Sequence, residues 1–347
     1  MSAELTIPRA CTFDPDDWRI IAGYWYPVAL ATEVGEAPLG VKLLDQPLVV
    51  YRIGGATVIA DDICPHRGVP LSLGRGDAHG ITCAYHGFRF GDGGRCVDVP
   101  AHPQAKIPSR LNLRTYPAVE RYGLIWTCLA ADPDSDPELA EIPVHPHWDE
   151  AGFQRINCPW IDIAAFAGRQ VEGFLDVAHF SFVHLKSFGN PDNTVVPDYT
   201  PVPTADGFEV EYWSTVSNYP IGVPDPSEPG FQWLRHFRLH VPFTATLVVH
   251  FPEGGKLSIM NAASPVSSRM TRMFAPICKN FNTDQPEQEV HDFNRIVFEE
   301  DRAIVEVQQP ENLPLDPKLE VHVPADRSSI AYRKALRALG LGAFFTA

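Results

Sequence analysis

The chain is short of positive charge: 28 Lys and Arg stand against 43 Asp and Glu, a formal net charge of −15. Nucleic acid is therefore a poor partner, since phosphate recognition needs a basic patch or stripe. No run of about 18 apolar residues occurs, which argues against a membrane-spanning helix. The opening MSAELTIPRACTFDPDD has no basic segment followed by an apolar one, so it does not read as a secretory signal, and a cytoplasmic protein is expected. Cysteine is sparse and odd in number: seven, at 11, 64, 83, 96, 128, 158 and 278. Without a secretion signal, that scatter argues against a disulfide framework and leaves metal binding or plain burial. Cys11, Cys96, Cys128, Cys158 and Cys278 have no histidine at ligand spacing and read as small apolar residues. Internal repeats and low-complexity segments are also lacking.

What is present is a chain of 347 residues, 45% hydrophobic, long enough for two domains and a large core. The first part reads as β. LVVYRIGGATVIAD is two β-rich runs about Gly54-Gly55, ITCAYHGFRFGDGGRCVDV repeats the pattern, and LRTYPAVERYGLIWTCLA adds short strands. DPDSDPE, residues 132–138, reads as a linker. Beyond it, AAFAGRQVEGFLDVAHFSF reads as a helix, while FEVEYWSTV, LRHFRLHVPFTATLVVHF and KLSIMNAASPV read as strands. A second helix spans DQPEQEVHDFNRIVFEEDRAIVEVQQP, with Asp284 and Pro286 near its start and Pro310 at its end. The expected fold class is α+β: an all-β domain over 1–131, a linker over 132–148 and an α+β domain over 149–347.

The chemistry gathers in CPHRGVPLSLGRGDAHGITCAYHGF. Cys64-x-His66 is followed, sixteen residues later, by Cys83-x-x-His86. A structural zinc site more often pairs like with like, C-x-x-C with H-x(3–5)-H. Mixed pairs suit a Rieske [2Fe–2S] centre, where two thiolates hold one iron and two imidazoles the other. Pro65, Gly68 and Gly87 allow tight backbone whose amides can reach the sulfides. Arg67, Arg75, Arg89 and Arg95 form a local basic island, readable as a docking face for an acidic electron carrier or as four solvated arginines.

CPHRG with CAYHGF resembles the cluster motif of the Rieske non-heme iron oxygenases. The resemblance continues through RYGLIW, FLDVAHFSFVH, EEDRAIVEVQQP and HVPADRSSIAYRKALRALG, nearly the whole chain. The closing segment is similar to the subgroup of caffeine N-demethylases and saxitoxin-type hydroxylases. The resemblance implies a terminal oxygenase subunit with a helix-grip catalytic domain, supplied with NAD(P)H electrons by a ferredoxin or reductase and using O₂.

A mononuclear Fe(II) site needs two imidazoles and a carboxylate on one face. His179 and His184 lie five residues apart, about 140° round a straight helix, so a helix end, bend or bulge is expected at Phe180–Val183. The residues leave the carboxylate open between Asp176 and the second helix. The resemblance implies Asp301, and the apolar Val297, Phe298, Ile304 and Val305 around it read as one inward face. Asp176 is then free to orient a ligand histidine. By resemblance it bridges His86 of one subunit to His179 of another within a homotrimer. Gly173 stands where the family pattern has Asn, and Glu172 beside it reads as a solvated helix residue. Asn294 and Phe298, seven and three residues before Asp301, are expected to line the substrate cavity.

The expected reaction is monooxygenation of a small aromatic or heterocyclic compound, by hydroxylation or oxidative N- or O-dealkylation, with arene cis-dihydroxylation as the alternative. An electron carrier with an inactive second domain, and a zinc-stabilised binding protein, are the readings from other classes.

Overall fold

In the computed structural model, which describes residues 6–132, 134, 141–342 and 344–345, the chain divides into two compact units, Met1–Ile142 and Pro143–Ala347. Of the segment read as a linker, 133 and 135–140 lie outside the described residues.

The first unit is built from three small antiparallel sheets. The Gly54-Gly55 hairpin forms as expected: Gln46–Ile53 pairs with Ala56–Asp61, Ile53 facing Ala56, with both glycines at positive φ. Leu39–Leu43 and Thr115–Tyr116 flank that pair. A second sheet runs Arg75–Asp77, Gly80–Thr82, Arg89–Phe90, Cys96–Asp98. Leu124–Thr127 lies between Tyr26–Leu30 and Val119–Arg121 in the third. Helix α1 (Pro15–Ile21) is started by Asp14, whose carboxylate accepts from the amides of Asp16 and Asp17. Its buried Trp18 donates to the Leu44 carbonyl at 2.9 Å. The core of the two four-stranded sheets packs Val49, Tyr51, Ile81, Phe88 and Phe90, and Cys64 and Cys83 belong to it. Both thiols are thus seated in the core, in loops that follow strands.

The second unit is an antiparallel sheet of nine strands: β1 (Gln154–Asn157), β2 (Ile161–Ile163), β3 (Val202–Thr204), β4 (Gly207–Ser214), β5 (Trp233–His240), β6 (Thr244–His250), β7 (Lys256–Ser267), β8 (Met270–Phe274) and β9 (Pro276–Lys279). The order is β1-β9-β7-β6-β5-β4-β3, with β8 joining β7 to β2. The unit also has helices α2 (Ala167–Leu175), α3 (Phe180–Val183), α4 (Glu287–Val305) and α5 (Arg327–Ala338), and a short antiparallel pair of Leu313–Pro314 with Phe344–Phe345. Helix α2 packs against β6, β7 and β8, and α4 against α2, α3 and β2. None of the helices among the described residues is long and apolar enough to cross a membrane.

Three local expectations are corrected. The stretch read as one helix is two: α2 stops at Leu175, and Phe180–Val183 is a regular turn, so the irregularity lies beside it, at Asp176–Ala178 and at His184. Ile304, expected to face inward, is exposed; the buried stripe of α4 is Val290, Asn294, Phe298 and Val305. Glu172 is buried, not solvated. It accepts from Arg169 (3.1 Å), from Arg333 (2.7 and 3.0 Å) and from Ser329. Glu320 also pairs with both arginines, at Nη2 of each. The network clamps α2 to α5, whose pattern of Ser328, Tyr332 and Leu336 is buried on the same side.

A buried charge stripped of its partner is costly. Glu172→Ala leaves Arg169 and Arg333 sharing the single carboxylate of Glu320, and should lower unfolding free energy by about 3–5 kcal/mol in chemical denaturation.

Candidate metal centres

In the first unit two loops repeat one design. The Gly68 amide returns to the Cys64 carbonyl (2.9 Å) and the Gly87 amide to the Cys83 carbonyl (3.1 Å). The Cys64 amide meets the Val69 carbonyl (2.8 Å) and the Cys83 amide the Phe88 carbonyl (2.9 Å). Both glycines have positive φ, near 74° and 72°, which a side chain would resist. The loops bring His66 Nδ1 and His86 Nδ1 within 3.1 Å, and they seat the two buried thiols side by side. Burial, and then the second thiol, push Cys64 up to about 11. That is a thiol pair short of positive charge, which bound iron supplies. The donors pair thiol with thiol and imidazole with imidazole. Among the described residues they form no set converging on one point, as a single tetrahedral zinc would need. The set fits a two-iron cluster. His86 is exposed, with the exposed Tyr85 ring tilted against it, centroids 3.8 Å apart. Of the basic island, Arg67, Arg75 and Arg95 are exposed, while Arg89 pairs with Asp77.

The second centre begins with a helix end. Asp176 leaves helical geometry at ψ 136°, and its Oδ1 accepts from the Ala178 amide at 2.7 Å. Such side-chain capture of backbone competes with helix continuation. The chain then restarts in α3, with His179 at the N-cap and His184 at the C-cap, where ψ is 37°. One turn flanked by two breaks sets His179 Nε2 and His184 Nε2 3.1 Å apart. Gly189 donates to the His184 carbonyl at 2.7 Å, and a Cβ there would lie 2.4 Å from the Phe180 carbonyl oxygen. Only glycine lets the following loop close on the histidine turn.

Asp301, on α4, completes the group: Oδ1 is 3.5 Å from His179 Nε2 and 3.3 Å from His184 Nε2. Among the described residues, these three are the only set whose donor atoms all lie within 4.8 Å of one another. Two imidazoles and one carboxylate fit a facial triad for Fe(II). The opposite nitrogens are also accounted for. His179 Nδ1 lies 3.6 Å from Asp176 Oδ2 and His184 Nδ1 3.2 Å from Glu300 Oε2. A proton held at each Nδ1 leaves both Nε2 lone pairs facing the shared point.

Glu300 was not singled out in the sequence, although it adjoins Asp301. It also accepts from Ser187 Oγ (2.6 Å) and the Lys186 amide (2.7 Å), tying the loop after His184 to α4. Arg235, fully buried on β5 and pulled down to about 10 by that burial, lies over the Phe180 ring at 5.4 Å. Asn294 is buried and donates to the Val290 carbonyl of its own helix (2.8 Å). Phe298 packs with Met273, Ile163 and Val290 in the core. At Gly173 an added Cβ would touch Val305 at 3.4 Å, so its absence eases the approach of α2 to α4.

Burial, then His179, push His184 down to about 4, the neutral form a ligand needs. Burial disfavours the His179 cation, but Asp176 and Asp301 outweigh it and raise the group. Burial raises Asp301 to about 6, with Glu300 and Asp176 adding to it against His179. A metal must displace the Asp301 proton below that pH. Because the raised His179 must lose its proton as well, Fe(II) affinity of the metal-free protein should weaken by more than about tenfold per pH unit on acidification below about 6. Anaerobic calorimetric titration between pH 5 and 8 measures it, and a flat profile would refute the assignment.

Residues 24–117 match the model of the Rieske [2Fe-2S] domain, and residues 163–341 match that of the vanillate O-demethylase oxygenase C-terminal domain. Methylxanthine N1-demethylase NdmA of Pseudomonas putida is 33% identical over 336 residues, 93% of this chain and 90% of that protein. Methylxanthine N3-demethylase NdmB of the same organism is 27% identical over 339 residues, 94% and 92% of the two chains. The solved structure of Pseudomonas putida CBB5 NdmA with caffeine superposes with a TM-score of 0.79 at 31% identity, covering 93% of this chain and 92% of that one. With a Rieske [2Fe–2S] cluster and a mononuclear iron as its cofactors, the chain belongs to the Rieske non-heme iron oxygenases and is a terminal oxygenase component, an oxidoreductase of the monooxygenase and demethylase type.

Proposed function

We propose that this chain forms a cytoplasmic homotrimer that removes N- or O-methyl groups from small aromatic or heterocyclic compounds. Electrons come from an NAD(P)H-dependent reductase, directly or through a ferredoxin that docks on the exposed arginines near the Cys–His loops. The observation that carries the reading is the convergence of His179, His184 and Asp301 in a chain whose other unit pairs Cys64 with Cys83 and His66 with His86. Similarity over nearly full length to two N-demethylases, and over the C-terminal half to a vanillate O-demethylase domain, supports demethylation.

In this reading Cys64 and Cys83 hold one iron of the cluster and His66 and His86 the other, while His179, His184 and Asp301 hold the single iron. When bound, these groups supply single electrons and O₂ activation for hydroxylation of a C–H bond. The protein's own side chains set the conditions. Glu300 keeps the His184 Nδ1 proton in place, and Asp176 does so for His179. Burial works to raise Asp176, but His179 and the amides of Ala178 and Val177 hold it below the usual carboxylate range. It therefore stays ionised and able to accept a second donor, for which His86 of a neighbouring subunit is the candidate. On α4, Asn294, whose amino group is held by the Val290 carbonyl, keeps its Oδ1 for the substrate, and Phe298 beside it contributes the edge of a core ring. One oxygen atom enters a methyl C–H bond while the other leaves as water, using two electrons and two protons. The resulting hemiaminal or hemiacetal expels formaldehyde.

The test supplies holoenzyme with a reductase, NADH and a panel of N- and O-methylated aromatics. Formaldehyde should form in step with NADH oxidation and only with O₂; cis-diols in its place would transfer the chain to the dihydroxylating class. Iron analysis should give about three irons per chain, one more than a cluster alone. Asp176→Asn should retain iron and a reducible cluster yet lose about 10–100-fold in kcat, because an outer partner of a metal-bound histidine has gone. An unchanged kcat would remove Asp176 from the path.

A further inference from the structure

Two side-chain amides on the covered face of the catalytic sheet end in acceptors that nothing satisfies. Gln170 of α2 and Asn261 of β7 are each 3% exposed. Their amino groups converge on one atom, the Met273 sulfur, at 3.2 and 3.3 Å. Gln170 Oε1 and Asn261 Oδ1 are both buried and without a hydrogen-bond partner. Rotating either amide sets its oxygen against the thioether, acceptor against acceptor, so each oxygen is left pointing away from the sulfur. Buried carbonyl oxygens are normally paired, and a pair that is not calls for a donor from outside the chain.

Register places them at the active-site layer. Asn261 stands in one row with Ala245 and Leu239, and the next row on that face is Ile259, Leu247 and Phe237. Phe174, one turn after Gln170, meets Phe237 edge to face. Met273 packs with Phe298 and Val305, which lie three residues before and four after Asp301 on α4. The amides thus lie between the sheet and helices α2 and α4, the second of which carries Asp301.

We infer that Gln170 and Asn261 form the polar wall of the substrate cavity and select a ring that bears an N–H or O–H donor. The inference rests on the demethylase reading and adds the chemical class: the substrate carries a lactam, imide or phenol donor as well as its methyl group.

Matched pairs test it, by calorimetric titration of the anaerobic holoenzyme: theobromine against caffeine, which differ by N–H and N–CH₃, and vanillate against its 4-O-methyl ether. The donor-bearing member of at least one pair should bind about tenfold tighter or more, since a site built to accept a hydrogen bond rejects the analogue lacking it. Gln170→Met and Asn261→Leu should each bring the two members of the pair within about twofold. Should one variant not fold, the other decides. No preference in either pair, binding of neither, a preference that survives the substitutions, or a crystal structure in which water stays between the amides with substrate bound would each overturn the inference. Formaldehyde release with no donor preference would spare the demethylase reading and overturn this one; a preference without formaldehyde release would do the reverse.

Discussion

Asp176 takes the Ala178 amide with its own side chain, and this 2.7 Å hydrogen bond ends α2 four residues before the first histidine of the second centre. Had the helix run on, His179 and His184 would diverge by about 140°. Because it restarts for a single turn, the two Nε2 atoms face each other at 3.1 Å. The same carboxylate keeps its other oxygen 3.6 Å from His179 Nδ1. One residue therefore shapes the backbone, orients the imidazole and remains charged. Gly189 and Glu300 finish the job from the other side, closing the loop onto His184 and pinning it to α4.

The two centres are organised on different scales. Around Cys64 and Cys83 every positioning hydrogen bond is made within the loop, to a carbonyl four or five residues away. Such a site is local and can be read from a short string. The second centre draws its carboxylate from a helix more than a hundred residues further on. Its geometry therefore depends on how α2, α3 and α4 pack on one sheet, and hence on the core of Phe298, Val305, Met273 and Ile163.

Charge burial follows the same division. Glu172 sits between Arg169 and Arg333, and Glu300 between His184, Ser187 and the Lys186 amide. Neither site of burial is signalled locally, because Glu172 and Glu300 occupy helices whose neighbouring positions are polar or mixed. A buried carboxylate is stable only with such partners. Arg169 apart, which lies one turn before Glu172 on α2, these come from elements distant in sequence.

By itself the sequence determined the mixed Cys–His pairing, the Gly54-Gly55 hairpin, the order of a β unit and an α+β unit, and the family, since each rests on short-range spacing and turn chemistry. It also showed that His179 and His184 demand a broken helix, but it misplaced the break, because the side chain of Asp176 competes with the helix through a hydrogen bond that periodicity does not register. Ile304 looked inward by spacing and is exposed, since hydrophobic period reports a face without saying how wide a stripe the neighbours cover. The residues left the carboxylate open and only the resemblance pointed to Asp301, which the tertiary structure brings to the histidines; tertiary structure alone decided that Glu300 holds one of them and that Glu172 is sealed beneath α5. These are contacts between segments far apart in the chain, set by which faces pack together.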